Sequence, residues 1–253
     1  MADVRIAAAA RNAVRAALVV AGISIVSACG HPEPSEPSTT LSTVTAGATS
    51  TNLPVTASPT IVAGMYGDPV AAARYWQQQS LEDNCGLISV ADVVGQITGH
   101  APTEQEMIAL AESTPSQTNP GPIYAPADDP SHANGNGGIE LGDTVVLLAH
   151  YGITSVMTDT THPDQTGLPA LQRYLTDNRK IIAWVNSAVI WNSDDQRSTA
   201  DHFLVVTGID TNNEIVHLND PGADHADEQV AVTAFTAAWR TGGDSIVVTA
   251  AAG

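Results

Sequence analysis

Apolar residues recur at helical spacing through the middle of this chain and as near-continuous runs toward its end. Val90, Val93, Val94 and Ile97 stand at i, i+3, i+4 and i+7, which is one face of a helix running from Cys85 to about Ile97, with Asn84 or Asp83 as its N-cap. A second helix is expected at TEQEMIALAES, where Thr103 and Glu106 have the spacing of a capping box. Residues 138–151 contain a third, ended by Gly152, and LPALQRYLTDN a fourth with Pro169 in its first turn. After Lys180 the pattern changes. IIAWVNSAVIW, HFLVVTGID and EIVHLND are rich in Val and Ile and the last two close on turn residues, so they read as successive strands of one antiparallel sheet. VAVTAFTAAWR is a short helix or a strand-helix piece, and SIVVTA a closing strand. Helices first and sheet after give an α+β fold.

The pattern fails in two places. Residues 113–138 are rich in Pro and Gly and too long for a plain connection; such a segment is either a functional loop or an insertion. From Gly30 to about Thr60 the chain is dominated by Pro, Ser, Thr and Ala, without the apolar surface needed to order itself. Ahead of that tract, Arg5, Arg11 and Arg15 precede the apolar run ALVVAGISIV and then Val26-Ser27-Ala28-Cys29. This arrangement resembles the signal peptide and lipobox of bacterial lipoproteins. It implies export, cleavage before Cys29, a diacylglycerol on the Cys29 thiol, and a chain anchored to the outer face of the cell membrane. Three parts are therefore expected: a signal peptide over 1–28, a tether over 29–61 with an extended reach of roughly 100 Å, and one folded domain over 62–253.

Composition narrows the partners. Nine basic residues face 27 acidic ones, a formal net charge of −18. Nucleic acid is an unsuitable partner for such a chain. Anionic headgroups would repel it too, so membrane contact would rest on the acyl chains at Cys29. There are two cysteines. With Cys29 lipidated, Cys85 has no disulfide partner within the chain, and a solitary free thiol in an oxidising compartment is either buried or used.

The surroundings of Cys85 favour use. A cysteine in the first turn of a helix meets unpaired backbone N–H groups and the positive end of the helix dipole, which favour a thiolate. Gln79, six residues upstream, could offer its side-chain amide to an oxyanion, together with the backbone N–H of Cys85. Of eight histidines, His202 alone opens a strand, HFLVVTG, where a sheet would hold its ring. Asp220 ends the next strand. If the two strands pair across a turn near residues 210–213, Asp220 lies beside His202 and can orient the imidazole, while Asn219 points to the other face.

Gln79-x5-Cys85-Gly86, DHFLVVTGID, VHLNDPG and VTAFTAAWR, in that order, resemble papain-like cysteine peptidases of the bacteriocin-processing, double-glycine-leader family, especially stand-alone relatives. The match runs over about residues 70–250. It implies a papain-like fold with a helical half, the nucleophile at a helix start, packed on a C-terminal antiparallel sheet. It implies Cys85 as nucleophile, His202 as base, Asp220 as orienting acid and Gln79 as oxyanion donor. No cofactor is required; a peptide or protein would be the substrate, and the chain would act as a monomer. One departure is the run Leu87-Ile88-Ser89-Val90 where relatives often carry a proline after the Cys-Gly pair. The alternative function is a surface binding module that keeps the fold with the triad idle. HLNDPGADHADE gathers His217, Asp220, Asp224, His225, Asp227 and Glu228, but without the spacing of a calcium loop or a zinc helix, so no metal is expected. Trp184 and Trp191 could line a groove, but on segments read as strands the core is the expected place for them.

Overall fold

The computed structural model describes residues 63–130, 132 and 138–251. The expected signal peptide, Cys29 and the tether lie outside the described residues. Seven strands form one antiparallel sheet: β1 (Met65–Gly67), β2 (Ser155–Thr158), β3 (Ile181–Val185), β4 (His202–Asp210), β5 (Ile215–Asn219), β6 (Glu228–Ala231) and β7 (Ile246–Thr249). Their order is β2-β7-β3-β4-β5-β6, and β1 pairs with the far end of β4. The helices are α1 (Pro69–Ala72), α2 (Cys85–Thr98), α3 (Glu104–Ser113), α4 (Leu141–His150), α5 (Leu168–Thr176), α6 (Ser187–Ile190) and α7 (Val232–Arg240). This is the expected α+β, papain-like fold, and the strand β7 that ends the chain enters the sheet interior between β2 and β3.

Helices cover both faces of the sheet, which goes beyond a helical half packed on one side. Alternation along β4 explains how. Phe203 and Val205 are buried with Val90 and Val94 of α2, Met107 of α3 and Leu147 of α4, whereas Leu204 and Val206 are buried with Leu171 of α5 and Phe235 and Trp239 of α7. A strand covered on both faces has no polar side, so HFLVVTG reads as a continuous apolar run. Nearly the whole of α2 is buried, and each of its large aliphatic side chains contributes about 1.5–3 kcal/mol by leaving water.

Three local expectations are corrected. Asn84 occupies the N-cap position of α2 but makes no capping bond; its amide donates instead to Glu104 Oε1 at 2.7 Å. IIAWVNSAVIW is not one strand, because β3 stops at Val185 and Asn186 caps a short helix, its Oδ1 accepting from the Val189 N–H at 3.3 Å. Trp191, placed by that helix rather than by a strand, is 44 % exposed and not in the core. The capping box of α3 is present, with both Thr103 and Glu106 side chains bonded as expected. Of residues 113–138, Ile123, Tyr124 and Ala125 are buried, so this part of the segment belongs to the core.

Candidate active site

Cys85 is the first residue of α2 and is a free, buried thiol. The backbone comes close here: a side chain at Gly86 would stand 2.5 Å from Ile139 Cγ1, so the neighbouring position admits only glycine without rearrangement. His202 opens β4 and Asp220 follows the last residue of β5. The two strands are joined at Asp210, whose Oδ1 accepts from the N–H groups of Asn212 and Asn213. Val205 stands opposite Asn219. Continuing that register puts Asp220 diagonal to His202, within reach of a side-chain bond.

The bond is present. His202 Nε2 lies 2.6 Å from Asp220 Oδ1, with both side chains shielded from solvent. The Cys85 thiol lies near the same ring, close enough to raise its hold on a proton. Because Nε2 faces the acid, Nδ1 is the nitrogen left for the thiol. Burial opposes a charge on His202, but the bonds and charges of Asp220 and Cys85 overcome it and push the imidazole up to about 10. Burial likewise opposes ionisation of Asp220, yet the bonded His202, the Gly222 N–H and the Trp191 indole hold its carboxyl below the usual carboxylate range. Base and acid are thus hydrogen-bonded with the thiol beside them, and Asn219 is turned to the opposite side, where its amide donates to Asp92 Oδ2 and to the Ala72 carbonyl.

Gln79 lies on the wall of a cleft of about 490 Å³ that is also lined by His202, Trp191, Ser187, Pro221 and Gly222. One of its amide hydrogens goes to the Leu81 carbonyl at 2.7 Å, which leaves the other for a ligand. The wall is fastened to the acid. Trp76 Nε1 donates to the Asp220 carbonyl, Gln78 Nε2 to the Ala223 carbonyl and the Gln79 N–H to the Pro221 carbonyl. From the other side Glu104 accepts from the Ser80 N–H, the Ser80 hydroxyl and Asn84.

Sequence reasoning weighed Trp191 as a groove-lining residue, which it is, but missed its bond to the acid. Its indole N–H donates to Asp220 Oδ2 at 2.9 Å and its ring centroid lies 5.1 Å from that of His202. The available signal was Asn186-Ser187, a capping pair inside an apolar run. Asp201, just before His202, accepts from the Ser187 N–H and hydroxyl, which ties the start of α6 to the start of β4. The residues of HLNDPGADHADE have other partners: His217 bonds Asp227 at 2.7 Å and His225 bonds Asp224 at 2.6 Å. Among the described residues no cluster of three or more potential ligands is assembled for a metal.

A buried thiol at a helix start, beside an imidazole that a sheet and a carboxylate hold in place, is the arrangement of papain-like cysteine peptidases. The chain belongs to the Peptidase_C39 like family, which matches residues 70–247. Uncharacterised proteins of Mycobacterium tuberculosis and Mycobacterium bovis are 44 % identical over 196 residues, covering 73 % of this chain and 84 % of each relative. A solved structure described as a C39-like peptidase from Bacillus anthracis superposes with a TM-score of 0.51 at 17 % identity, covering 74 % of this chain and 97 % of that one. The latter supports the fold.

Proposed function

We propose that this protein is an exported, lipid-anchored thiol hydrolase that cleaves peptide bonds through an acyl-enzyme. The observation that carries the reading is the bond of His202 to Asp220 beside the Cys85 thiol, with His202 on the wall of an open cleft. His202 Nδ1 takes the thiol proton, and the resulting thiolate attacks the substrate carbonyl. The oxyanion that forms is met by the Cys85 N–H and by the free amide hydrogen of Gln79. The imidazolium then protonates the leaving amine, the C–N bond breaks, and a thioester joins the acyl group to Cys85. Water, deprotonated by His202, hydrolyses that thioester and restores the thiol. Asp220 keeps the ring in the required tautomer, and the Trp191 indole and Gly222 N–H keep Asp220 in place.

Export and attachment at Cys29 rest on the lipobox-like run at Val26–Cys29. The test is peptide-library digestion by the full chain, read by mass spectrometry. Cleavage products that disappear with Cys85→Ala are expected. A wild-type chain that binds library peptides and leaves them intact would replace the peptidase reading with the binding-module one.

A further inference from the structure

The carboxylate of Asp220 has room for one more donor. An ionised carboxyl group offers about four lone-pair sites. His202 Nε2 and the Gly222 N–H use Oδ1, and the Trp191 indole uses Oδ2. The group beside the remaining site is another acid. Glu228 opens β6 opposite Leu218, so its side chain leaves the sheet on the face shared by Leu218 and, two residues on, Asp220. That register brings the Glu228 carboxyl to the Asp220 side of the sheet, near enough for the charge of Asp220 to act on it. Its Oε2 is buried and receives no hydrogen bond.

Two carboxyl groups so placed cannot both ionise cheaply, and the one without a basic partner keeps the proton. Asp220 has His202. Burial, and next the charge and bond of Asp220, push Glu228 up to about 7, with His225 and His202 pulling the other way. We propose that Glu228 is a positioning residue of the triad: as a neutral acid it donates a hydrogen bond to Asp220, filling the last site on that carboxylate and fixing it toward His202. The proposal rests on the reading of Asp220 as the partner that orients His202.

The other groups around Glu228 are accounted for. His202 faces it from β4 and Asp220 from the end of β5; His217 of β5 is bonded to Asp227, and His225 of the connecting segment to Asp224. The packed helix α7 has one ionisable side chain, Arg240, at its last residue. When Glu228 ionises, a second negative charge appears behind the imidazolium and strengthens it.

The test is the rate of Cys85 alkylation by iodoacetamide from pH 5 to 9 in the full chain, read by mass spectrometry on the peptide carrying Cys85. The wild-type rate is expected to rise through a step of about three- to tenfold centred near 7, the equivalent of half to one pKa unit of coupling. Glu228→Gln donates through its amide at every pH and carries no charge, so it keeps the wild-type rate at pH 5.5 and lacks the step. Glu228→Leu provides neither donor nor charge and is slower than wild type at pH 5.5. A Glu228→Gln profile that superimposes on wild type, step included, overturns the proposal, as does a Glu228→Leu rate equal to wild type at pH 5.5. His202→Ala separates the two readings. If it alkylates like wild type, the triad itself fails; if it is slowed while Glu228→Gln matches wild type, only the role of Glu228 fails.

Discussion

Asp220 is the most heavily bonded side chain of the site, and what it accepts explains why neighbouring residues are what they are. Trp191 supplies both a donor to Asp220 and an apolar cover over one side of His202, although 44 % of its surface meets solvent. Gly222 has no side chain because one would stand 2.5 Å from Trp191 Cζ2, pressing the indole away from the acid. Trp191→Phe keeps the cover and removes the donor. Losing one hydrogen bond to a charged group costs about 1–2 kcal/mol, so kcat/KM is expected to fall by roughly 5- to 30-fold with little change in melting temperature. An unchanged kcat/KM on a substrate found by library digestion would show that the indole bond does not hold Asp220.

At the scale of elements, the active line joins the start of α2, the start of β4 and the end of β5, so their relative placement matters more than any one helix. Asp92, two turns along α2 from Cys85, ties that helix to the strand carrying the acid through Asn219, and its other oxygen accepts from Gln96. Burial pushes Asp92 up to about 7, against the bonds from Gln96 and Asn219 and the charge of Lys180. The sign follows directly: the folded chain keeps the Asp92 proton to higher pH than the unfolded one, so stability falls as pH rises from 3.8 toward 7. Asp92→Asn removes that loss. Urea unfolding should find the variant about 1–3 kcal/mol more stable than wild type at pH 8, with the two converging at pH 4. A difference that does not change with pH would remove Asp92 as its source.

Much of this level was legible in the sequence. The capping box at Thr103 and Glu106, the 3.6-residue period of α2 and the Val/Ile runs of β4 and β5 are local signals, and pairing consecutive strands was enough to bring His202 to Asp220. The strand-helix piece VAVTAFTAAWR resolves into β6 and α7 because Ala231 is the last strand residue before the amphipathic turn begins. What was not legible depended on contacts far apart in the chain. Asn84 looks like a helix cap until Glu104 of α3 draws its amide away, and the end of β3 at Asn186 depends on bonds to residues 197 and 201. The short strands β1 and β2 have no period of their own and exist because β4 and β7 offer them an edge. Glu228 appeared only as one acid among several, since its nearness to Asp220 comes from the pairing of β5 with β6.

For the whole molecule, the formal net charge of −18 means that the proposed anchor at Cys29 would hold an acidic chain at an anionic surface that repels it. Among the described residues no helix is long and apolar enough to cross a membrane. The proposed function then assigns attachment to the Cys29 thiol and catalysis to the Cys85 thiol. Cys29→Ala is expected to move the protein from the membrane fraction to the soluble fraction of the producing cells while leaving alkylation of Cys85 unchanged. Retention at the membrane would show that something other than lipid at Cys29 holds it there. The central claim, that Cys85, His202 and Asp220 act as a unit in acyl transfer, is tested most directly by pre-steady-state reaction of the full chain with p-nitrophenyl acetate. The account predicts a burst of about one nitrophenolate per chain with the acetyl group on Cys85, absent in Cys85→Ala and slowed at least ~100-fold in His202→Ala. A burst of the same rate in His202→Ala, or an acetyl group found at another residue, would contradict it.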